Sequence, residues 1–231
     1  MTMKIFQIPD KNVKSAAIDS SAAFLIAVVV YFNLPEKGYS IGFPMTILTI
    51  ASAWLCPWQI FLALLFSAVG DFAGASGNFL LQMGSFAVAH IWYTVFFVGR
   101  YFKKVEPDFK LTGKAKGFLA MVVICTAFIL YAAFTRIVPE VPAGILRIGV
   151  GTYACIICAM LLGAMLQRSS LYALGAVMFV FSDFILAWNM FTEPIPHAGL
   201  FIMTPYFLGQ WLLYIRSTSF RVAPEMRLMR F

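Results

Sequence analysis

The sequence predicts an all-α fold: a polytopic membrane bundle of eight transmembrane helices. Three observations predict it. Apolar residues make up 61% of the 231 positions and charged ones 12%, where a soluble domain carries about 25% charged residues. The apolar residues gather in eight runs close to the ~20 residues needed to cross a bilayer. Between the runs stand short breakers and most of the Lys and Arg, the arrangement of spans and loops rather than of a soluble core.

Taken in order, the spans fall at about 16–34, 39–55, 57–75, 79–100, 114–134, 142–166, 170–191 and 197–216. Pro35-Glu36-Lys37-Gly38 ends the first, and Cys56-Pro57-Trp58 separates the second from the third. Gly74-Ala-Ser-Gly77-Asn78 ends the third, and Pro194 and Pro196 precede the eighth. The first run follows Lys4, Lys11 and Lys14, shows no cleavable-signal pattern and is long enough to span. The 24 Phe, 5 Trp and 9 Tyr suit lipid-facing and interfacial positions.

The net charge of +7 does not point to a nucleic-acid partner, because the basic residues sit in short connections between apolar runs. With the N-terminus inside, the inner segments hold fourteen of the 17 Lys and Arg; only Lys37, Arg136 and Arg147 fall outside. This asymmetry predicts both termini on the cytoplasmic side, and the small size fits a bacterial inner membrane. The basic connection 100–116 is the only long polar one. It divides a single transmembrane domain, 1–231, into halves of about 16–100 and 114–216, read as two parallel four-helix repeats related by an axis along the membrane normal.

The chemistry starts from two carboxylates. Ser67-Ala-Val-Gly-Asp71 closes the third span, and Val180-Phe-Ser-Asp183 occupies the matching place in the seventh. A carboxylate within a span costs roughly 3 kcal/mol or more at the helix centre, so an intramembrane Asp marks a site or a helix-tying hydrogen bond. By helix rise, Asp71 lies ~6 Å and Asp183 ~12 Å below the outer helix ends, within reach of one cavity. His90 and Tyr93 share a face of the fourth span; Tyr206, Gln210 and Tyr214 share a face of the eighth at i+4 steps. With Ser182, these are the expected second shell of the carboxylates, although a buried His or Gln satisfied by a neighbour reads the same way. Asn189 caps its helix or touches substrate. Arg147 anchors the interface by snorkelling or holds a lipid phosphate with its guanidinium fork. His197 is expected in solvent.

Other chemistries are missing. There is no phosphate-cradling glycine loop, no Gly-x-Ser-x-Gly and no His-Glu-x-x-His. Cys155-x-x-Cys158 has no second ligand pair, so the four cysteines read as small buried hydrophobes. No metal and no organic cofactor are expected. Carboxylate acid/base chemistry remains.

The same residues resemble the lysoplasmalogenase (YhhN-like) family of integral membrane proteins. The matching segments are Ser67–Asp71 with Gly84-Ser-Phe-Ala-Val-Ala-His90-Ile-Trp-Tyr93, and Leu174–Asp183 with Pro205-Tyr206-Phe-Leu-Gly-Gln210. The family often opens its second span with Lys-Pro, where this chain has Phe43-Pro44. The resemblance implies hydrolysis of the vinyl ether bond of a lysophospholipid, lysoplasmalogen, to a fatty aldehyde and glycerophosphoethanolamine or glycerophosphocholine. Protonation of the β carbon by a carboxylic acid, with a second carboxylate stabilising the oxocarbenium ion and activating water, fits Asp71 and Asp183. Two carboxylates in a low-dielectric pocket do not both ionise cheaply, so the pair is expected to share a proton. An apolar cavity would hold the alkenyl chain. The rival readings are a proton-coupled small-molecule or lipid transporter and a non-enzymatic lipid-binding protein. The oligomeric state is left open.

Overall fold

The computed structural model describes residues 10–104 and 113–218. Both basic termini and the centre of the basic connection 100–116 lie outside the described residues. Among the described residues eight α-helices carry the chain: α1 (Asp10–Asn33), α2 (Gly42–Leu55), α3 (Trp58–Ala75), α4 (Phe79–Lys104), α5 (Gly113–Ala132), α6 (Ile145–Met165), α7 (Ser170–Phe191) and α8 (Ala198–Thr218). Each belongs to a helical segment long and apolar enough to cross a membrane, as an integral multi-pass protein requires. Short 3-10 turns lead into α2 (Gly38–Ile41) and follow α5 (Val138–Glu140), and α5 itself runs into a π-helical turn, Ala133–Ile137.

The breakers act as the sequence predicts. Pro57 caps α3 in an extended conformation that no helix continues through. At its other end the chain reverses within three residues. Gly77 adopts φ +78°, its N–H bonds to the Gly74 carbonyl, and the Asn78 N–H bonds to the Ala73 carbonyl. This left-handed closure needs a residue without Cβ. Asn78 Oδ1 then accepts the Leu81 N–H at 3.1 Å and starts α4. The tight turn sets α3 and α4 side by side and leaves Asp71 near the base of α4.

Helices in lipid gain nothing from hiding apolar surface from other apolar groups, so close backbone approach and polar bonds hold them together. The tightest approach joins α7 to α8. A Cβ built on Gly209 would lie 2.8 Å from the carbonyl oxygen of Gly175. Ala63 stands eight residues before Asp71 as Gly175 does before Asp183, and Ala89 precedes His90 as Gly209 precedes Gln210; both alanines are fully buried. Gly209→Ala is therefore expected to cost about 1 kcal/mol or more, since backbone cannot step aside as a side chain can; a lower unfolding midpoint in a mixed-micelle denaturation series would register it.

Neighbours in the two halves correspond. α3 packs on α4 as α7 packs on α8, α2 on α3 as α6 on α7, and α1 on α2 as α5 on α6; across the halves, α4 meets α6 and α8 meets α2. The common core is aromatic, with Phe24, Tyr93, Phe97, Tyr172 and Phe179 fully enclosed. Cysteines depart from expectation: Cys56 and Cys158 are buried, whereas Cys125 and Cys155 face outward, where an apolar thiol is equally at home against lipid.

Candidate functional site

α3 and α7 bring their carboxylates to one cavity. It has a volume of about 370 Å³ and opens at the end of the bundle that carries the short loops 34–41 and 76–78. Asp71 and Asp183 both line it, with Tyr206, Ser182, Gln82 and Tyr31 among the other walls. Asp71 is 2% exposed, and the Asp183 side chain 10%.

Each carboxylate has one partner from the opposite half, a phenol for Asp71 and an imidazole for Asp183, and Asp183 has in addition a phenol from its own half. Tyr206 of α8 donates to Asp71 Oδ2 at 2.8 Å. Tyr153 of α6 donates to Asp183 Oδ2, and His90 Nε2 of α4 stands 3.4 Å from the same oxygen and 3.0 Å from the Tyr153 hydroxyl. A carboxylate oxygen accepts only, so Nε2 carries the ring hydrogen. Nδ1 has no hydrogen-bond partner among the described residues and sits in an apolar surround, with the Phe179 ring edge-on at 4.4 Å between centroids. Asp183 thus receives two donors and Asp71 one.

Below the cavity runs a second polar chain. Tyr93 donates to Gln210 Oε1 at 2.7 Å, Gln210 Nε2 donates to Ser67 Oγ at 2.9 Å, and Ser67 donates to the Ala63 carbonyl. Every member is fully buried. It ties α4, α8 and α3 one turn beneath Asp71. Ser182 donates to the Ile202 carbonyl at 2.8 Å, beside the stretch of α8 where Pro205 removes a helical bond.

The other expected residues are elsewhere. Asn189 Oδ1 accepts the Ile195 N–H at 2.8 Å and closes the α7–α8 loop. Arg147 donates from Nε to the Val141 carbonyl at 2.8 Å and from Nη2 to that of Pro139, bracing the turn before α6. Neither lines the cavity. His197 is exposed, at φ +57°, just before α8.

Three contributors escaped sequence reasoning. Tyr153 stands alone in an aliphatic stretch of α6, with no polar residue one turn away to flag it. Gln82 lies a turn before Phe86 in α4 and presses on Gly74, where an added Cβ would come within 2.6 Å of its amide nitrogen. Lys37 reads as a loop cation, yet it lines the cavity mouth. Its Nζ donates to the carbonyls of Tyr31, Phe32 and Leu34, capping α1. Phe43 is 59% exposed, packs on Phe72 and is not part of the lining. The cation in the cavity lining is Lys37.

Comparison with known proteins finds relatives of this chain. Residues 39–217 match the model of the YhhN family. The chain is 32% identical over 156 residues to the lysoplasmalogenase TMEM86B of Homo sapiens, covering 67% of this chain and 61% of that protein. It is 31% identical to the TMEM86B lysoplasmalogenase of Sus scrofa, covering 71% of this chain and 64% of the relative. It is also 31% identical to the TMEM86A lysoplasmalogenase of Homo sapiens, covering 72% and 68%. The matched regions thus span a little over three fifths of the two TMEM86B relatives. No solved structure matches.

Proposed function

The chain belongs to the YhhN family, and from that premise we propose that it is a membrane hydrolase cleaving the vinyl ether bond of a lysophospholipid. The observation that carries the proposal is the pair of carboxylates, Asp71 and Asp183, lining one cavity from two different helices. The family relatives named lysoplasmalogenase support the substrate class. The corresponding neighbours of the two halves support the two-repeat reading, and the loop charges support a cavity mouth on the outer side.

The hydrogen-bond pattern supports a division of roles. Asp183, with Tyr153 and His90 both directed at one oxygen, suits the role of the base. Asp71, more deeply buried and with one phenol donor, suits the role of the acid. Asp71 gives a proton to the β carbon of the vinyl ether, and the α carbon becomes an oxocarbenium centre. Asp183 faces the cation, takes a proton from the attacking water and leaves a hemiacetal. Its collapse returns one proton from Asp183 to the departing glycerol oxygen. The hemiacetal hydroxyl proton restores Asp71, so the cycle consumes one water and yields an aldehyde and an alcohol. Lys37, its hydrogens committed to carbonyls, adds a fixed positive charge at the mouth for a head-group phosphate.

Purified protein in detergent, given lysoplasmalogen, is expected to release fatty aldehyde in step with a glycerophospho-alcohol. Absence of aldehyde under conditions where a TMEM86B lysoplasmalogenase releases it sinks the proposal. Movement of intact lipid between proteoliposome leaflets with no aldehyde would mark a carrier instead.

A further inference from the structure

Hydrolysis at Asp71 and Asp183 leaves one part of the substrate without a place: its hydrocarbon chain. We infer that the chain lies in the apolar cleft between α5 and α7, a proposal that rests on the hydrolase reading above. The cleft encloses about 370 Å³, within the range of ligand sites. Its walls are hydrocarbon and aromatic throughout, with Phe128 and Ala132 from α5, Leu161 from α6, and Val177 and Phe181 from α7.

The cleft exists because α5 is attached on one side. It packs on α6, and this segment reaches α7 chiefly through the π-helical turn at its end. Below that turn the two helices part and leave a slot facing lipid. Ile129, Val180 and Phe184 are walls both of the cleft and of a small inner chamber of about 50 Å³. That chamber ends on Tyr153 and Asp183. Asp183 in turn lines the polar cavity on its other side. One residue therefore stands at the junction of a polar space and an apolar one, where the bond between a glycerol and an alkenyl chain has to sit.

Direction agrees as well. From Asp183 to Val177, α7 descends about 9 Å away from the cavity mouth. A lipid with its head at the mouth and its reacting bond at Asp183 would lay its chain down this slot toward the bilayer centre, in the posture it has in a leaflet. The exchange is nearly neutral in energy, because bilayer tails are as apolar as the cleft walls. The cleft therefore aligns the chain rather than capturing it, and entry from the side needs no extraction from the membrane.

The test has two arms. In nanodiscs, an ether-linked lysophospholipid lacking the vinyl bond and carrying a diazirine at its chain end is photolysed, and labelled residues are mapped by mass spectrometry. Labels are expected on α5 and α7 around Phe128 and Phe181, and an unlabelled copy of the same lysolipid should compete them away. Labels spread over the lipid-facing helices and untouched by competitor would mean bulk lipid only, and would overturn the inference. In the second arm Val177→Trp fills the slot. Its KM for a long-chain lysoplasmalogen is expected to rise about tenfold, against a much smaller change for a short-chain one. Equal losses on both chain lengths would indicate general damage to the fold and count against the cleft. If wild type releases no aldehyde while the competed labels still map to the cleft, the chain seat stands and the hydrolase reading fails.

Discussion

Asp71→Asn is expected to lose roughly 10²–10⁴-fold in the rate of aldehyde release, the usual worth of a positioned general acid, while the protein stays folded. Asparagine has the shape of aspartic acid, and its Oδ1 still accepts the Tyr206 hydroxyl that now reaches Asp71 at 2.8 Å. What it lacks is a proton to give to carbon. The same exchange at Asp183 is expected to fall in the same range, because an amide neither stabilises an adjacent cation nor accepts a proton from water. The double variant is expected to be hardly slower than either single one, since two groups serving one proton cycle do not contribute independently. Rates from aldehyde-coupled assays, alongside size-exclusion profiles for each variant, check all three. Full activity in Asp71→Asn would remove the acid assignment; a collapsed elution profile would show that the carboxylate holds the helices instead.

Gln210→Leu is expected to be strongly destabilising, by about 2–3 kcal/mol, with the reason lying in the partner it abandons. Tyr93 donates to Gln210 at 2.7 Å and is fully buried. Without the amide its hydroxyl faces apolar neighbours, and an orphaned buried donor costs more than the bond was worth. Ser67 suffers less, because it still donates to the Ala63 carbonyl at 2.9 Å. Combining Gln210→Leu with Tyr93→Phe removes both ends, so the pair is expected to recover about 1 kcal/mol relative to the sum of the singles. Denaturant titration of the four proteins gives this coupling directly. A coupling near zero would mean that the bond contributes no more than the lipid-exposed alternatives each group finds in an unpacked bundle. Because neither Tyr93 nor Gln210 lines the cavity, the double variant is also expected to keep much of its activity.

Sequence alone determined the architecture, for a physical reason. In a bilayer every backbone polar group must be bonded within its own helix, so runs of apolar residues and their breakers leave few alternatives. Seven of the eight helices fall within a few residues of the expected spans, α1 starting earlier at Asp10, and Pro57, Gly77 and Asn78 act locally, through φ angles and caps written in the residues themselves. Asp71 and Asp183 were legible for the same reason: a carboxylate in an apolar run is conspicuous against its surroundings. Tertiary structure alone decided who partners whom. Tyr206 goes to Asp71 from 135 residues away, and His90 to Asp183 from 93. Tyr153 appears in the site only because α6 leans on α4 and α7. Arg147 and Asn189, as polar as any candidate, turn instead to loop backbone. Helical periodicity states which face a residue occupies, but not which helix that face meets. Phenols, amides and imidazoles are common enough in membrane spans that only the packing distinguishes a site residue from a satisfied neighbour.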